Sequence, residues 1–265
     1  MEHGGTRQAT TVTADGVTIA YDVVGQGPDV VLVHGITDDR ATWGAVADLL
    51  ADDHRVIRLD LRGHGASGDA EDYGALGMAG DVAAVLAATG ASDPVLVGHS
   101  LGGFVVTALA SQMPVRAVVN IDQPLRMSAF HDGLAPLAPL LRGTDAEFRQ
   151  ALSMVFDVMR SPLDPTAQGD LDGHRLTARQ DVVLGVWEMA LSLDGPELDA
   201  IVEAVLPSIA CPYLAVHGDD PGDGYRTWLA GLMPAAELEV WEGTGHYLHL
   251  VDPTRFVARV RSFVS

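Results

Sequence analysis

The chain alternates short apolar runs with longer stretches whose apolar positions recur every three or four residues. Short continuous runs predict buried strands, and the three-to-four spacing predicts helices. Residues 10–13 and 17–24 flank Asp15-Gly16 and predict a hairpin. Asp29-Val30-Val31-Leu32-Val33 predicts a buried strand that ends at His34-Gly35. Trp43, Val46, Ala47 and Leu50 predict a helix over 41–51, followed by a strand over 55–60 and a helix over 78–88 that Gly90 closes. Val95-Leu96-Val97 is a further strand, residues 104–110 a helix, and 115–121 a strand reaching Asn120-Ile121-Asp122. This rhythm predicts the α/β class, with a mostly parallel sheet covered by helices on both faces.

The rhythm breaks between residues 123 and 207, where no strand of similar quality occurs. Phe148, Leu152, Val155, Phe156 and Met159 share one helical face. Val182, Val183, Val186, Trp187 and Ala190 share a second, and Leu198, Ile201, Val202 and Val205 a third. Pro162, Pro165 and Gly195-Pro196 separate them. The expected organisation is a core domain over 1–122 and 208–265 with a helical cap insert over 123–207. The core resumes with a strand over 213–216 that ends at His217-Gly218, a helix over 225–233 and a strand over 238–241. A loop carries Gly243-Thr244-Gly245-His246, and Asp252-Pro253 opens the last helix.

Composition narrows the partners. A chain of 265 residues, 48% hydrophobic, supports one large core. Its net charge of −20, with every basic residue an arginine, argues against nucleic acid and anionic membrane surfaces. No apolar stretch has the length of a membrane span, and residues 1–7 carry no hydrophobic signal segment, so a cytoplasmic location is expected. Cys211 has no second cysteine to pair with and is expected to be a buried structural thiol.

Gly98-His99-Ser100-Leu101-Gly102 spells G-x-S-x-G between a predicted strand and a predicted helix. That context is a nucleophile elbow, in which Gly98 and Gly102 stand where a Cβ would clash. A literal G-x-G-x-x-G also occurs at residues 63–68, but loop sequence follows it instead of a helix, so a dinucleotide site is not expected there.

His34-Gly35-Ile36, the D-x-R-G-H-G-x-S-G stretch at 60–68, the elbow, and G-x-G-H at 243–246 occur in the order and spacing of the α/β-hydrolase superfamily, which the chain resembles over nearly its whole length. The resemblance implies the α/β-hydrolase fold. A serine hydroxyl needs a base to attack a carbonyl, and His246 is the expected base, with His249 as the alternative. His34, His99 and His217 are expected to pack. Backbone N–H groups of Ile36 and Leu101 are the oxyanion donors that the resemblance implies. Many relatives carry the acid three residues after the glycine that matches Gly218, where this chain has Pro221. A minority, including haloalkane dehalogenases and zearalenone-type lactonases, carry it at the position of Asp122. Asp122 is therefore preferred, with Asp220 the alternative acid.

The expected function is a serine hydrolase that cleaves an ester or lactone through an acyl-enzyme, with no metal and no organic cofactor. Cofactor-free perhydrolases and C–C-bond hydrolases resemble it in using the same triad, and a ligand-binding receptor on the same fold is a reading of another class. The expected partner is a small apolar ester or lactone. Trp187, Met127, Phe130, Met154 and Met159 of the insert are candidate pocket walls.

Overall fold

Buried on both faces, the apolar runs assemble side by side. In the computed structural model, which describes residues 9–265, eight strands form one sheet: β1 (Thr10–Ala14), β2 (Val17–Val24), β3 (Asp29–Val33), β4 (Arg55–Leu59), β5 (Val95–His99), β6 (Ala117–Ile121), β7 (Tyr213–His217) and β8 (Glu237–Val240). Their order is β1-β2-β4-β3-β5-β6-β7-β8. Strand β2 runs antiparallel to its neighbours β1 and β4, and β3 through β8 are mutually parallel. The reading of residues 1–7 lies outside the described residues.

Helices α1 (Gly44–Leu50), α2 (Ala75–Thr89) and α3 (Leu101–Ala110) connect the first half of the sheet. One apolar layer forms where α2 and α3 pack on β3, β4 and β5, through Val82, Val85, Val105 and Leu109. The opposite layer joins Trp43, Leu50, Phe256 and Val260 to the other face of the same strands. Parallel strands buried on both faces explain why the runs are continuous and not alternating.

Between β6 and β7 the chain is helical: α4 (Ser128–Leu134), α5 (Ala138–Leu141), α6 (Asp145–Asp157), α7 (Pro165–Leu176), α8 (Gln180–Val186), α9 (Glu188–Ser192) and α10 (Gly195–Val205). The three helical faces expected there correspond to α6, to α8 with α9, and to α10. Periodicity missed α4, α5 and α7. The reason is clearest in α7, which buries only Leu171 and so carries no apolar stripe. Its start is fixed by capping: the Asp164 side chain accepts from the Thr166 and Ala167 N–H groups, with Pro165 in the first turn. The sheet resumes with α11 (Tyr225–Leu232), a short α12 (Leu248–Val251) and α13 (Pro253–Val264), whose N-cap is Asp252 as expected.

Residues 60–68 form a hydrogen-bonded loop, and the next helix begins only at Ala75. Asp60 accepts from the Ala66 and Arg40 N–H groups, and Ser67 Oγ donates to the Asp60 carbonyl. Arg62 anchors this loop to α2 with a two-pronged contact to Asp81 at 2.6 and 2.8 Å, and it also donates to the carbonyls of Asp72 and Gly77. Both partners of the pair are buried. Removing one partner of such a pair strands a charge. Arg62→Met is therefore expected to cost about 3–5 kcal/mol in urea unfolding, and Arg62→Met combined with Asp81→Leu to recover much of it. A single-variant loss under about 1 kcal/mol would show that the pair does not hold the loop.

Candidate active site

The C-terminal edge of the parallel strands places the candidate residues. Gly98 pairs with Val33 on one side and with Asn120 on the other, so β3, β5 and β6 end at one level. Ser100 follows β5 at once and continues the ladder by donating its N–H to the Ile121 carbonyl at 2.9 Å. Asp122 does the same one strand further on, donating to the Val216 carbonyl at 2.8 Å. Each of these two residues has a positive φ, +51° for Ser100 and +49° for Asp122. Side chains rarely adopt this conformation, and its occurrence at both positions marks a constrained edge.

The elbow is as tight as its spelling implied. A Cβ on Gly98 would lie 2.1 Å from the Gly102 carbonyl oxygen, and a Cβ on Gly102 would lie 2.1 Å from the Val33 carbonyl oxygen. Helix α3 begins at Leu101, directly after the serine. The Leu101 N–H therefore lies in the first turn, where amides have no partner within the helix.

His246 lies in the loop after β8 and is buried. Its Nδ1 lies 2.6 Å from Asp122 Oδ2. The other carboxylate oxygen accepts the Gly218 N–H at 2.8 Å and lies 3.6 Å from His217 Nδ1. Burial pushes the Asp122 carboxyl upward. Hydrogen bonds with His217 and His246, the charge of His246 and the Gly218 N–H outweigh it and hold the group well below the usual carboxylate range. An ionised carboxylate only accepts, so the proton between the two sits on His246 Nδ1, and in the neutral ring the lone pair is then at Nε2. Asp220 is elsewhere, with its carboxylate accepting from the Gly222 N–H at 2.9 Å in an exposed turn.

His34, His64, His99 and His249 are buried. His249 has no exposure and packs tilted against Trp43, and burial lowers it to about 3. His34 donates from Nδ1 to the Gly35 carbonyl and accepts the Leu61 N–H at Nε2. His64 contacts the Arg62 carbonyl at 2.9 Å. His99 contacts the His246 carbonyl oxygen at 3.0 Å and packs against the rings of His246, Tyr247 and His249. The Cys211 thiol is half-buried, which pushes it up and away from reactivity.

The insert closes on this edge in a way periodicity did not indicate. Ile36 belongs to the apolar cluster of the insert, with Leu134, Leu141, Phe148, Val183 and Trp187, and Leu101 packs against the same cluster. Trp187 meets Phe130 edge to face at 5.9 Å, and Met127 and Met159 pack at the rim of this cluster. Met154 is 47% exposed on α6. A cavity of about 290 Å³ between the 60–68 loop, Thr37–Asp39 and the end of α7, and one of about 400 Å³ between α6 and α7, are lined by none of these five residues. Trp187, Phe130, Met127 and Met159 belong to or pack against the insert's own apolar cluster. Sequence reading missed Asp38, Gly218 and Tyr247. The signal available for Asp38 was an acid immediately after the H-G-I-T turn.

Among the described residues, no group of three His, Cys, Asp or Glu side chains is placed to hold a metal ion, and no helix is long and apolar enough to cross a membrane.

Comparison with known proteins agrees with this architecture. Residues 30–260 match the model of the alpha/beta hydrolase family. The esterase YbfF of Escherichia coli (strain K12) is 26% identical, over 89% of this chain and 92% of its own. The esterase RhEst1 from Rhodococcus sp. ECU1013 superimposes with a TM-score of 0.77 at 29% identity, covering 98% of each chain. Est816, an N-acyl homoserine lactone degrading enzyme, superimposes with a TM-score of 0.80 at 26% identity, covering 96% of this chain and 100% of its own. With an eight-stranded sheet, an elbow serine at its edge and a family match over most of its length, this chain belongs to the alpha/beta hydrolase family.

Proposed function

We propose that the protein is a serine hydrolase of carboxylic esters or lactones, working through an acyl-enzyme at Ser100. The observation that carries this reading is the 2.6 Å contact between Asp122 Oδ2 and His246 Nδ1, on the sheet edge where Ser100 tops the elbow. Ser100 Oγ attacks the substrate carbonyl carbon while His246 Nε2 takes the hydroxyl proton. Asp122 holds the imidazole in the required tautomer and stabilises the imidazolium as it forms. The Ile36 and Leu101 N–H groups receive the developing oxyanion. Collapse of the tetrahedral intermediate breaks the C–O bond, and His246 returns the proton to the leaving alcohol. Water then attacks the acyl group with His246 again as base, which frees the acid and restores Ser100.

Two features support the choice of substrate class. The similarity to the esterases and to the lactone-degrading Est816 favours esters and lactones. Apolar side chains of the insert gather around Ile36 and Leu101, which favours an apolar acyl or alcohol group beside the oxyanion donors. Expected pocket residues Trp187, Met127, Phe130 and Met159 act in this reading by shaping that apolar roof, and Met154 contributes least because of its exposure.

Ser100→Ala is expected to abolish turnover of a simple aryl ester and labelling by a fluorophosphonate, with unchanged thermal melting. Persistent labelling in that variant would move the nucleophile elsewhere. Asp122→Asn is expected to lower kcat on the order of 10⁴-fold, the size of the effect when a triad acid is neutralised, and Asp220→Asn by about tenfold or less. The reverse pattern would assign the acid to Asp220.

Asp122 also predicts a pH signature. Its folded-state pKa lies below the unfolded value near ~3.9. Ionised Asp122 thus stabilises the fold above that value, and the contribution fades as pH falls through the depressed folded-state value. The stability gap between wild type and Asp122→Asn, measured by urea unfolding, should be flat between about pH 5 and 7 and shrink below about pH 4. A gap that widens toward acid would contradict the assigned ionisation.

A further inference from the structure

A second acid–imidazole pair lies behind the site, and the reaction proposed above does not use it. Asp38 is 2% exposed and His99 1%. His99 Nε2 lies 3.0 Å from the His246 carbonyl oxygen. A carbonyl only accepts, so Nε2 carries the ring proton, and neutral His99 presents a lone pair at Nδ1. That atom has no hydrogen-bond partner, and neither has Asp38 Oδ2. The two face each other at 3.8 Å. The span is longer than a direct hydrogen bond, and a small rotation of the carboxyl or one bridging water closes it. Buried polar atoms without partners are costly, and here each supplies what the other lacks.

Charge states fit the same picture. Burial pushes the Asp38 carboxyl well above the usual range. Arg175 and a Tyr247 hydrogen bond oppose this, and Asp39 adds to it. Burial also holds the His99 imidazole well below its usual value, with His249, His246 and His34 adding and the bond to the His246 carbonyl opposing. A protonated carboxyl donates and a neutral Nδ1 accepts, so the two groups match as a neutral pair.

Gly35 keeps the space between them open. A Cβ at that position would lie 3.0 Å from His99 Nδ1, 3.2 Å from Asp38 Oδ2 and 3.3 Å from Ser100 Cβ. Three parts of the site therefore converge there. Asp38 closes the turn that holds Ile36, by donating its N–H to the Gly35 carbonyl at 3.3 Å. His99 immediately precedes Ser100, and its ring contacts the main chain of His246.

We propose that Asp38 and His99 form a positioning pair, in which the Asp38 carboxyl fixes the His99 ring so that its Nε2–H holds the His246 main chain in place opposite Ser100. Neither residue touches the substrate. The pair acts through His246, and it ties the oxyanion turn, the elbow and the histidine loop into one unit.

The kinetic arm of the test rests on the ester hydrolysis proposed above, whereas the spectroscopic arm does not. Asp38→Ala should lower kcat by about 10²-fold, the usual effect of a misplaced catalytic group, with KM nearly unchanged. Asp38→Asn, whose amide N–H can donate to Nδ1, should recover most of that loss. In ¹⁵N imidazole spectra of the intact protein, His99 should stay the neutral Nε2–H tautomer from about pH 5 to 8, and Asp38→Ala should move its Nδ1 resonance. Wild-type kcat in Asp38→Ala overturns the pair. So does an Asp38→Asn no better than the alanine variant, or a His99 that titrates in that range. If Asp38→Ala does not fold, the wild-type spectrum and Asp38→Asn decide. Wild-type turnover in Ser100→Ala would remove the serine reading alone, and the His99 spectrum would still decide the pair.

Discussion

Everything at the candidate site depends on one close approach of backbone to backbone. Strand β5 turns directly into α3, and the turn leaves no room for a Cβ on Gly98 or Gly102. Only glycine meets that constraint, and once it is met the Ser100 backbone is forced into a positive φ. The neighbouring strands then set the rest. Because β3, β5 and β6 end at one level, the loops after them converge on the serine instead of scattering along the sheet.

Burial has opposite consequences for two aspartates a short distance from the same histidine loop. Asp122 is met by the Gly218 N–H and by His246 and His217, and it stays ionised. Asp38 is more deeply buried, lacks a partner at Oδ2, and is driven toward its neutral form. The residue type is the same, and the number of donors offered to the charged form decides the outcome. The same burial keeps His34, His64, His99 and His249 neutral, so a histidine-rich region does not accumulate positive charge beside the reacting groups.

The helical insert is more than a cover. Its apolar cluster reaches down to Ile36 and Leu101, the residues whose amides are proposed to hold the oxyanion. A change in insert packing therefore bears on the position of those amides as well as on pocket shape. Arg175 of α7 reinforces the link, since it lies over the Phe156 ring, with its guanidinium 5.9 Å from the ring of Tyr247, next to His246.

The sequence by itself determined the strands, the elbow and the final loop. Each is written in contiguous residues: Val95-Leu96-Val97 before Gly98, glycines two residues on either side of Ser100, and Asp252-Pro253 at the start of α13. Local sterics and a continuous apolar run suffice for such features, and they need no distant partner. The insert was legible only where a helix carried a full apolar stripe, as in α6 and α10, and not in α7, which rests on a cap and one leucine. Tertiary structure alone decided which carboxylate meets His246. Asp122 and His246 are 124 positions apart; Pro221 beside Asp220 gave a preference for Asp122, and only the closed sheet brings its carboxylate to the imidazole while Asp220 turns onto its own loop. It also decided that Asp38 faces His99 and that Trp187 meets Phe130 within the insert's apolar cluster. Each outcome rests on contacts between segments that only the closed sheet brings together.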